Sequence, residues 1–254
     1  MGSEQSKTIY GLIGYPLTHS FSRDFFNKKF AAEGINAEYL NFEIDDVGRL
    51  CDLVGELPEL RGLNVTAPYK EAVLPLLNAL DDDARTIGAV NVIKVFHDKH
   101  SGKAAMKGYN SDSPAFSRTI EPLLTPRLDR ALVLGTGGAA KAVSHALQGL
   151  GVTVQLVSRR KSAATVTYEE ITRSLVARHK LVINATPLGK WPDVDQCPDF
   201  PFRFLTSEHL CYDLIYNPDE TCFLRRSLEM GAQVKNGLEM LLLQAFISYQ
   251  MWTE

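Results

Sequence analysis

Leu132 to Lys141 read Leu-Val-Leu-Gly-Thr-Gly-Gly-Ala-Ala-Lys, an apolar run closed by a turn of the form G-x-G-x-x-A. Such a turn suits phosphate binding. Gly135 permits a tight turn, Gly137 lets the backbone approach a pyrophosphate, and Ala140 allows a helix to pack closely on the preceding strand. The first N–H groups of that helix then face an anion. Thr136, Gly138 and Ala139 complete the loop. A glycine run by itself also fits an ordinary strand–helix turn; the strand before it and the helix after it favour a dinucleotide. At the end of the next strand, where NAD-preferring sequences carry Asp or Glu, the chain reads Ser158-Arg159-Arg160-Lys161. A carboxylate repels a ribose 2′-phosphate, whereas guanidinium groups grip one through charge-assisted bonds. NADP is the expected cofactor; taken alone, the run also fits a solvated basic turn.

Positioning that loop takes an alternation of strands and helices. Strand patterns at 8–13, 38–42, 62–65 and 90–96 alternate with helical patterns at 22–33, 47–54 and 69–77. A polar turn at 97–102 leads to a strand at 103–106. His97 and His100 in that turn lack a third ligand and read as solvated rather than metal-binding. After Ser113-Pro114 a helix runs to Ile120, and Pro122 and Pro126 interrupt the pattern. Strands follow at 131–134, 152–157, 181–185 and 211–214, with helices at 138–149 and 168–178. Leu238, Leu241, Leu242, Ala245 and Phe246 then repeat at helical spacing. This is the signature of an α/β chain with βαβ units and a mostly parallel sheet.

The chain has 254 residues, 45% of them hydrophobic and 22% charged, which excludes a disordered chain and fits one large domain or two small ones. Lys and Arg number 27 against 30 Asp and Glu, a net charge of −3 that argues against a nucleic-acid partner. The longest apolar run, from Met240 to Ile247, is too short to span a bilayer. Met1-Gly2-x-x-x-Ser6 matches an N-myristoylation signal in form and reads as an ordinary terminus, since short motifs match often by chance. Cys51, Cys197, Cys211 and Cys222 form no C-x-x-C pair, so free thiols in a reducing, cytoplasmic setting are expected.

Further motifs occur in order along the chain: Gly14-Tyr15-Pro16-Leu17-Thr18-His19-Ser20-Phe21-Ser22, Gly62 to Lys70, Gly88-Ala89-Val90-Asn91, Gly108-Tyr109-Asn110-Ser111-Asp112, Asn184-Ala185-Thr186-Pro187-Leu188-Gly189, Tyr216-Asn217-Pro218 and Gly237-x-x-Met240-Leu241-x-x-Gln244-Ala245. Together with the glycine turn they resemble the shikimate dehydrogenase family over nearly the whole chain. The resemblance implies NADPH-dependent, reversible reduction of 3-dehydroshikimate to shikimate, a step toward chorismate and the aromatic amino acids. It also implies two domains that close over a cleft. Residues 1–112 with 238–254 would bind substrate, and residues 113–237 would form a Rossmann-like NADP domain.

By the same resemblance Lys70 and Asp112 are the catalytic pair. Hydride addition to a ketone develops alkoxide charge, which calls for a positioned proton donor and a cation beside the oxygen. Ser20 and Ser22 match the hydroxyls that bind the substrate carboxylate; in isolation, capping of the first helix is their expected role. Thr66, Asn91 and Gln244 match contacts to the ring hydroxyls, with Tyr216 a further contact. Thr186 and Gly237 join Gly135, Thr136, Gly137, Gly138, Ala139, Ser158, Arg159 and Arg160 on the cofactor side. No metal is implied, and the protein is expected to act as a monomer or homodimer. In Gly62 to Lys70, Gly62 fits a turn and Pro68 the start of a helix. Met240 and Leu241 read as core.

The chain also departs from the family pattern. Arg23 and Phe26 replace Pro and a His or Met after Ser22, although Asn27 fits. Val92 replaces Thr after Asn91, Ser111 replaces Thr before Asp112, and Lys190 replaces Met. The segment 161–180 lacks one helix of the family's nucleotide domain, which predicts an open adenine side and weak cofactor affinity. Two alternatives compete with the main reading. One is an NAD- or dual-cofactor quinate/shikimate dehydrogenase, disfavoured by the basic Ser158 to Lys161 run. The other is a non-catalytic ligand-binding relative, disfavoured by retention of Lys70 and Asp112.

Overall fold

The computed structural model describes residues 6–17, 20–98 and 103–254. The start of the myristoylation match, Thr18, His19, His100 and most of the polar turn lie outside the described residues. The chain divides into two units, Met1–Ser111 with Ala245–Glu254, and Asp112–Gln244.

In the first unit, β1 (Thr8–Gly14) alternates its side chains between two cores. Tyr10 and Leu12 join one aromatic-rich cluster, and Ile9 and Ile13 face the other. The elements that follow are α1 (Phe21–Glu33), β2 (Ala37–Glu43), α2 (Leu50–Glu56), β3 (Leu60–Val65), β4 (Ala79–Leu80), α3 (Asp82–Ile87), β5 (Val92–His97) and β6 (Ala104–Tyr109). The sheet runs β2-β1-β3-β5-β6-β4. β1 pairs in parallel with β2 and β3, while β5 is antiparallel to β3 and β6. Ser20 caps α1, its Oγ accepting the Arg23 N–H at 3.2 Å, and Gly34 ends the helix at φ +64°.

Gly62 is a strand residue, not a turn. A Cβ there would lie 2.3 Å from the Trp252 indole, so the missing side chain is what lets Trp252 seat against β3. Trp252 is 4% exposed, and its Nε1 donates to the Ile93 carbonyl at 3.1 Å. The helix expected at 69–77 is also absent. Pro75 has no N–H and its ring crowds the carbonyl four residues back, so the segment becomes turns and a short 3-10 stretch, Leu74–Leu76. His97 is the last residue of β5, and its Nε2 donates to the Leu60 carbonyl at 3.0 Å rather than standing in solvent.

The second unit contains α4 (Asp112–Ile120), β7 (Arg130–Leu134), α5 (Gly138–Gly149), β8 (Thr153–Ser158), β9 (Thr165–Thr167), α6 (Arg173–Arg178), β10 (Leu181–Asn184), β11 (Leu210–Asp213), α7 (Cys222–Glu229) and β12 (Gln233–Lys235). Every neighbouring pair in this sheet is parallel, in the order β12-β11-β10-β7-β8-β9. Counted from β7 this is 3-2-1-4-5-6, the doubly wound Rossmann order. The helix expected at 168–178 breaks into a 3-10 turn, Tyr168–Glu170, and α6, because Thr172 starts a new cap for the Leu175 N–H. The β8–β9 crossover carries no helix. α8 (Leu238–Thr253) begins in the second unit and ends in the first. Among the described residues, no helix is long and apolar enough to cross a membrane.

Candidate active site

Topology gathers the polar motifs of the first unit along one edge of its sheet. The segments after β1 and β3 leave the carboxyl ends of parallel strands and carry Ser20, Thr66 and Lys70, with Ser22 in the first turn of α1. Because β5 is antiparallel, the Asn91 that precedes it lies at the same edge, and β6 returns there with Tyr109 opposite Val92. In open α/β sheets this edge is where ligands bind.

A chain of buried hydrogen bonds runs beneath that edge. The Ser22 side chain lies beside the Tyr39 hydroxyl, which donates to Asn64 Oδ1 at 2.8 Å. Asn64 Nδ2 donates to Ser248 Oγ at 2.9 Å and to the Asn91 carbonyl at 3.3 Å. Ser248 meets Ser111 Oγ at 3.0 Å, and Asn91 closes the chain. Its Nδ2 donates to Ser111 Oγ at 2.9 Å while its Oδ1 accepts the Ser111 N–H at 2.7 Å. Asn27 clamps both backbone groups of Tyr39, and Phe26, the residue that departs from the family pattern, stacks on the Tyr39 ring at 4.8 Å. From Tyr39 to Asn91 each hydroxyl and amide is deeply buried yet paired, which buried polar groups require.

Around this chain the expected substrate residues take distinct positions. Ser20 caps α1 through its Oγ lone pair, which leaves its O–H to donate. Asn91 fixes Ser111, the residue immediately before Asp112, and Asp112 opens α4 at 5% exposure. Lys70 is half-buried, and its carbonyl accepts the Val90 N–H at 2.7 Å, which ties it to the Asn91 segment. Thr66 is held by its N–H to the Ile13 carbonyl at 2.9 Å. Tyr216 and Gln244 are half-buried in the second unit. Sequence reasoning does not single out Tyr39, Asn64 or Ser248. Asn64 stands inside a quoted motif, and only contacts across the fold distinguish the other two from core residues.

The glycine turn sits at the switch point of the second sheet, between β7 and β10. Gly135 has φ +115°, a region that favours glycine, and a Cβ there would lie 3.1 Å from the Ala185 carbonyl. A Cβ at Gly137 would meet nothing within 4 Å, so the N-terminus of α5 is open to a ligand. Gly237 packs its backbone on Leu214, where a Cβ would clash with the carbonyl at 2.1 Å. Thr136, Arg159 and Arg160 are exposed, while Gly138, Ala139 and Ser158 are half-buried. Ser158 Oγ accepts the Arg160 N–H at 3.2 Å and shapes the basic turn. Lys161 is drawn away to Glu170, which holds the Glu170 carboxyl below its usual range and leaves the two exposed arginines of the run to meet an anion. A dinucleotide bearing a 2′-phosphate fits these features.

Comparison with known proteins agrees with this geometry. A family model for the shikimate dehydrogenase substrate binding domain matches residues 12–93. The NADP(+) shikimate dehydrogenase of Desulforamulus reducens is 38% identical over 268 residues, covering 96% of this chain and 89% of that protein. The shikimate 5-dehydrogenase of Thermus thermophilus, solved with NADP(H) and shikimate, superposes with a TM-score of 0.81 at 29% identity, over 96% of this chain and 93% of that one. A quinate dehydrogenase of Corynebacterium glutamicum, solved with NAD, is similar at a TM-score of 0.82 and 28% identity, over 97% and 94%.

Proposed function

The chain belongs to the family of NADP-dependent shikimate dehydrogenases, and on that premise we propose that it catalyses the reversible NADPH-dependent reduction of 3-dehydroshikimate to shikimate, on the route to chorismate and the aromatic amino acids. Residues 1–112 with 238–254 bind substrate, and residues 113–237 hold NADP. The observation that carries this reading is the buried chain from Tyr39 to Asn91, which orders a row of uncharged polar groups suited to a polyhydroxylated ring. A site built to pair with hydroxyls rejects analogues lacking them, because its own buried groups would be left unpaired.

When bound, NADPH supplies the hydride. Lys70 places its ammonium beside the oxygen that becomes an alkoxide, and Asp112 holds the neighbouring hydroxyl and the proton inventory of the site. Ser22, with Ser20, receives the carboxylate; Thr66, Asn91, Gln244 and Tyr216 contact the ring. Gly135, Thr136, Gly137, Gly138 and Ala139 face the pyrophosphate, Ser158, Arg159 and Arg160 the 2′-phosphate, and Thr186 and Gly237 the nicotinamide end. The protein acts in the cytoplasm as a monomer or homodimer, with a small-molecule substrate and no nucleic-acid or membrane partner.

The likeness to an NAD-bound quinate dehydrogenase defines the rival reading. A spectrophotometric assay crossing shikimate and quinate with NADP+ and NAD+ separates the two. Highest kcat/KM with shikimate and NADP+ is expected, and preference for quinate with NAD+ would install the rival.

A further inference from the structure

Asp213 is the last residue of β11, fully buried, and no part of the chemistry described above uses it. Three donors converge on its carboxylate. Asn184 Nδ2 lies 3.1 Å from both oxygens, the Ile215 N–H donates to Oδ1 at 3.0 Å, and the Thr221 hydroxyl donates to Oδ2 at 2.6 Å. A carboxylate only accepts hydrogen bonds, so it dictates which way the Asn184 amide faces. With Nδ2 committed to Asp213, Asn184 Oδ1 must point to the loop after β10. There it accepts the Thr186 N–H at 3.0 Å and the Thr186 hydroxyl at 2.6 Å. The Thr186 Oγ1 in turn accepts the Leu188 N–H at 3.3 Å. Asp213 also holds the start of the loop that leads to Tyr216, since Ile215 is its partner and the Ile215 carbonyl accepts the Gly237 N–H at 3.0 Å.

We propose that Asp213 is a positioning residue for the nicotinamide side of the cofactor site, acting through the Asn184 amide to set the Thr186 to Gly189 loop and through Ile215 to set Gly237. The inference rests on the reading of Thr186 as a cofactor contact. Burial pushes the Asp213 carboxyl up to about 6 against the pull of its three donors, all of them uncharged groups. The site thus keeps an ionised carboxylate in an unfavourable place, which a purely packing role would not require.

Asp213→Asn tests the orientation argument with almost no change of volume. Asn184 Nδ2 is equidistant from the two oxygens, so whichever way the new amide turns, an NH2 group faces another at about 3 Å. Asn184 must then rotate and present Nδ2 to the Thr186 N–H, which displaces the loop. The expected result is a rise of about tenfold or more in KM for NADP+, with KM for shikimate unchanged within about twofold, as a small displacement near the reacting end of a bound group produces. Thr221→Val, which removes a donor to Asp213, is expected to move the same ratio about threefold or more, and Thr221→Ser, which keeps the hydroxyl, to restore it; this pair decides the matter if Asp213→Asn does not fold. Thr186→Val separates the two levels. If it leaves KM for NADP+ unchanged, the reading of Thr186 fails. If it raises KM for NADP+ while folded Asp213→Asn and Thr221→Val do not, the role of Asp213 is overturned. A fall in kcat with both KM values unmoved would also overturn it, because that marks only a smaller folded fraction.

Discussion

Tyr39→Phe removes one hydroxyl from the middle of the buried chain and little else. The Tyr39 ring is fully buried, stacks on Phe26 at 4.8 Å and sits 6.2 Å from Trp252, and Phe preserves all of that packing. Burial raises the Tyr39 hydroxyl well above its usual range, so it remains a protonated donor throughout the working pH range. Its loss strips Asn64 Oδ1 of that donor at a residue only 5% exposed, at a cost of about 1–3 kcal/mol. For a unit of this size that corresponds to a fall of about 3–12 °C in the unfolding midpoint. Function should also suffer. Asn64 keeps its Nδ2 bonds to Ser248 and the Asn91 carbonyl, whereas Ser22 loses the hydroxyl beside it, and ordering that one side chain when substrate binds costs about 0.5–1.5 kcal/mol, or a rise of about 2–13-fold in KM for shikimate. The assay is initial-rate NADP+ reduction against shikimate, with KM for NADP+ as the internal control, expected within about twofold of the parent. A midpoint that falls while KM for shikimate stays put would show that the chain supports the fold and not the substrate edge.

Other substitutions test the remaining parts of the site. Arg159→Ala with Arg160→Ala alters exposed side chains, so stability should hold while kcat/KM for NADPH falls about 10–100-fold and the preference over NADH narrows; an unchanged ratio would remove the 2′-phosphate from this turn. Lys70→Ala is expected to lower kcat by about 10²–10⁴-fold with the fold intact, and a normal kcat would refute its catalytic role. Ser20→Ala and Ser22→Ala together should raise KM for shikimate strongly; the loss of the Ser20 cap adds a stability cost of about 1 kcal/mol, so substrate affinity that survives in a destabilised protein would leave capping as the whole function. In the second unit, His209 is 1% exposed, its Nδ1 accepting the Thr206 N–H at 3.0 Å and its Nε2 donating to the Val176 carbonyl at 3.1 Å, which selects the neutral ring. Burial lowers its pKa below 6.5, so its contribution is present above that value and is lost as pH falls through it. His209→Gln should therefore flatten the fall in unfolding midpoint between pH 7.5 and 5.5, and a slope as steep as the parent's would place the acid sensitivity elsewhere.

What is legible in the sequence is what local order encodes. The strand, the turn at Gly135 and the helix after it lie within one βαβ unit, and the φ of +115° that favours glycine at Gly135 belongs to that turn. Pro75 is equally local, and weighing its missing N–H cancels the helix at 69–77. α7 also has a readable start, since Thr221 accepts the Leu224 N–H three residues on. The buried chain has no such signature. Asn64 and Ser248 are 184 residues apart, and Ser111 and Ser248 are 137 apart, so nothing in either segment announces the other. Gly62 makes the same point, because its role lies entirely in the shape of Trp252.

These long-range partners explain why the motif residues keep their types. Asn91 carries a motif position, yet both ends of its amide are committed to Ser111, so its first effect is to aim the chain segment that becomes Asp112. Ser22 likewise lies beside the Tyr39 hydroxyl before any substrate arrives. A substitution at either residue therefore acts twice, through a lost ligand contact and through a released neighbour, and its effect on KM will not add to that of Tyr39→Phe. A double-mutant cycle between Ser22→Ala and Tyr39→Phe, read in KM for shikimate, should give a coupling of about 0.5–3 kcal/mol. Strict additivity would mean that Ser22 meets the substrate edge independently of the chain beneath it.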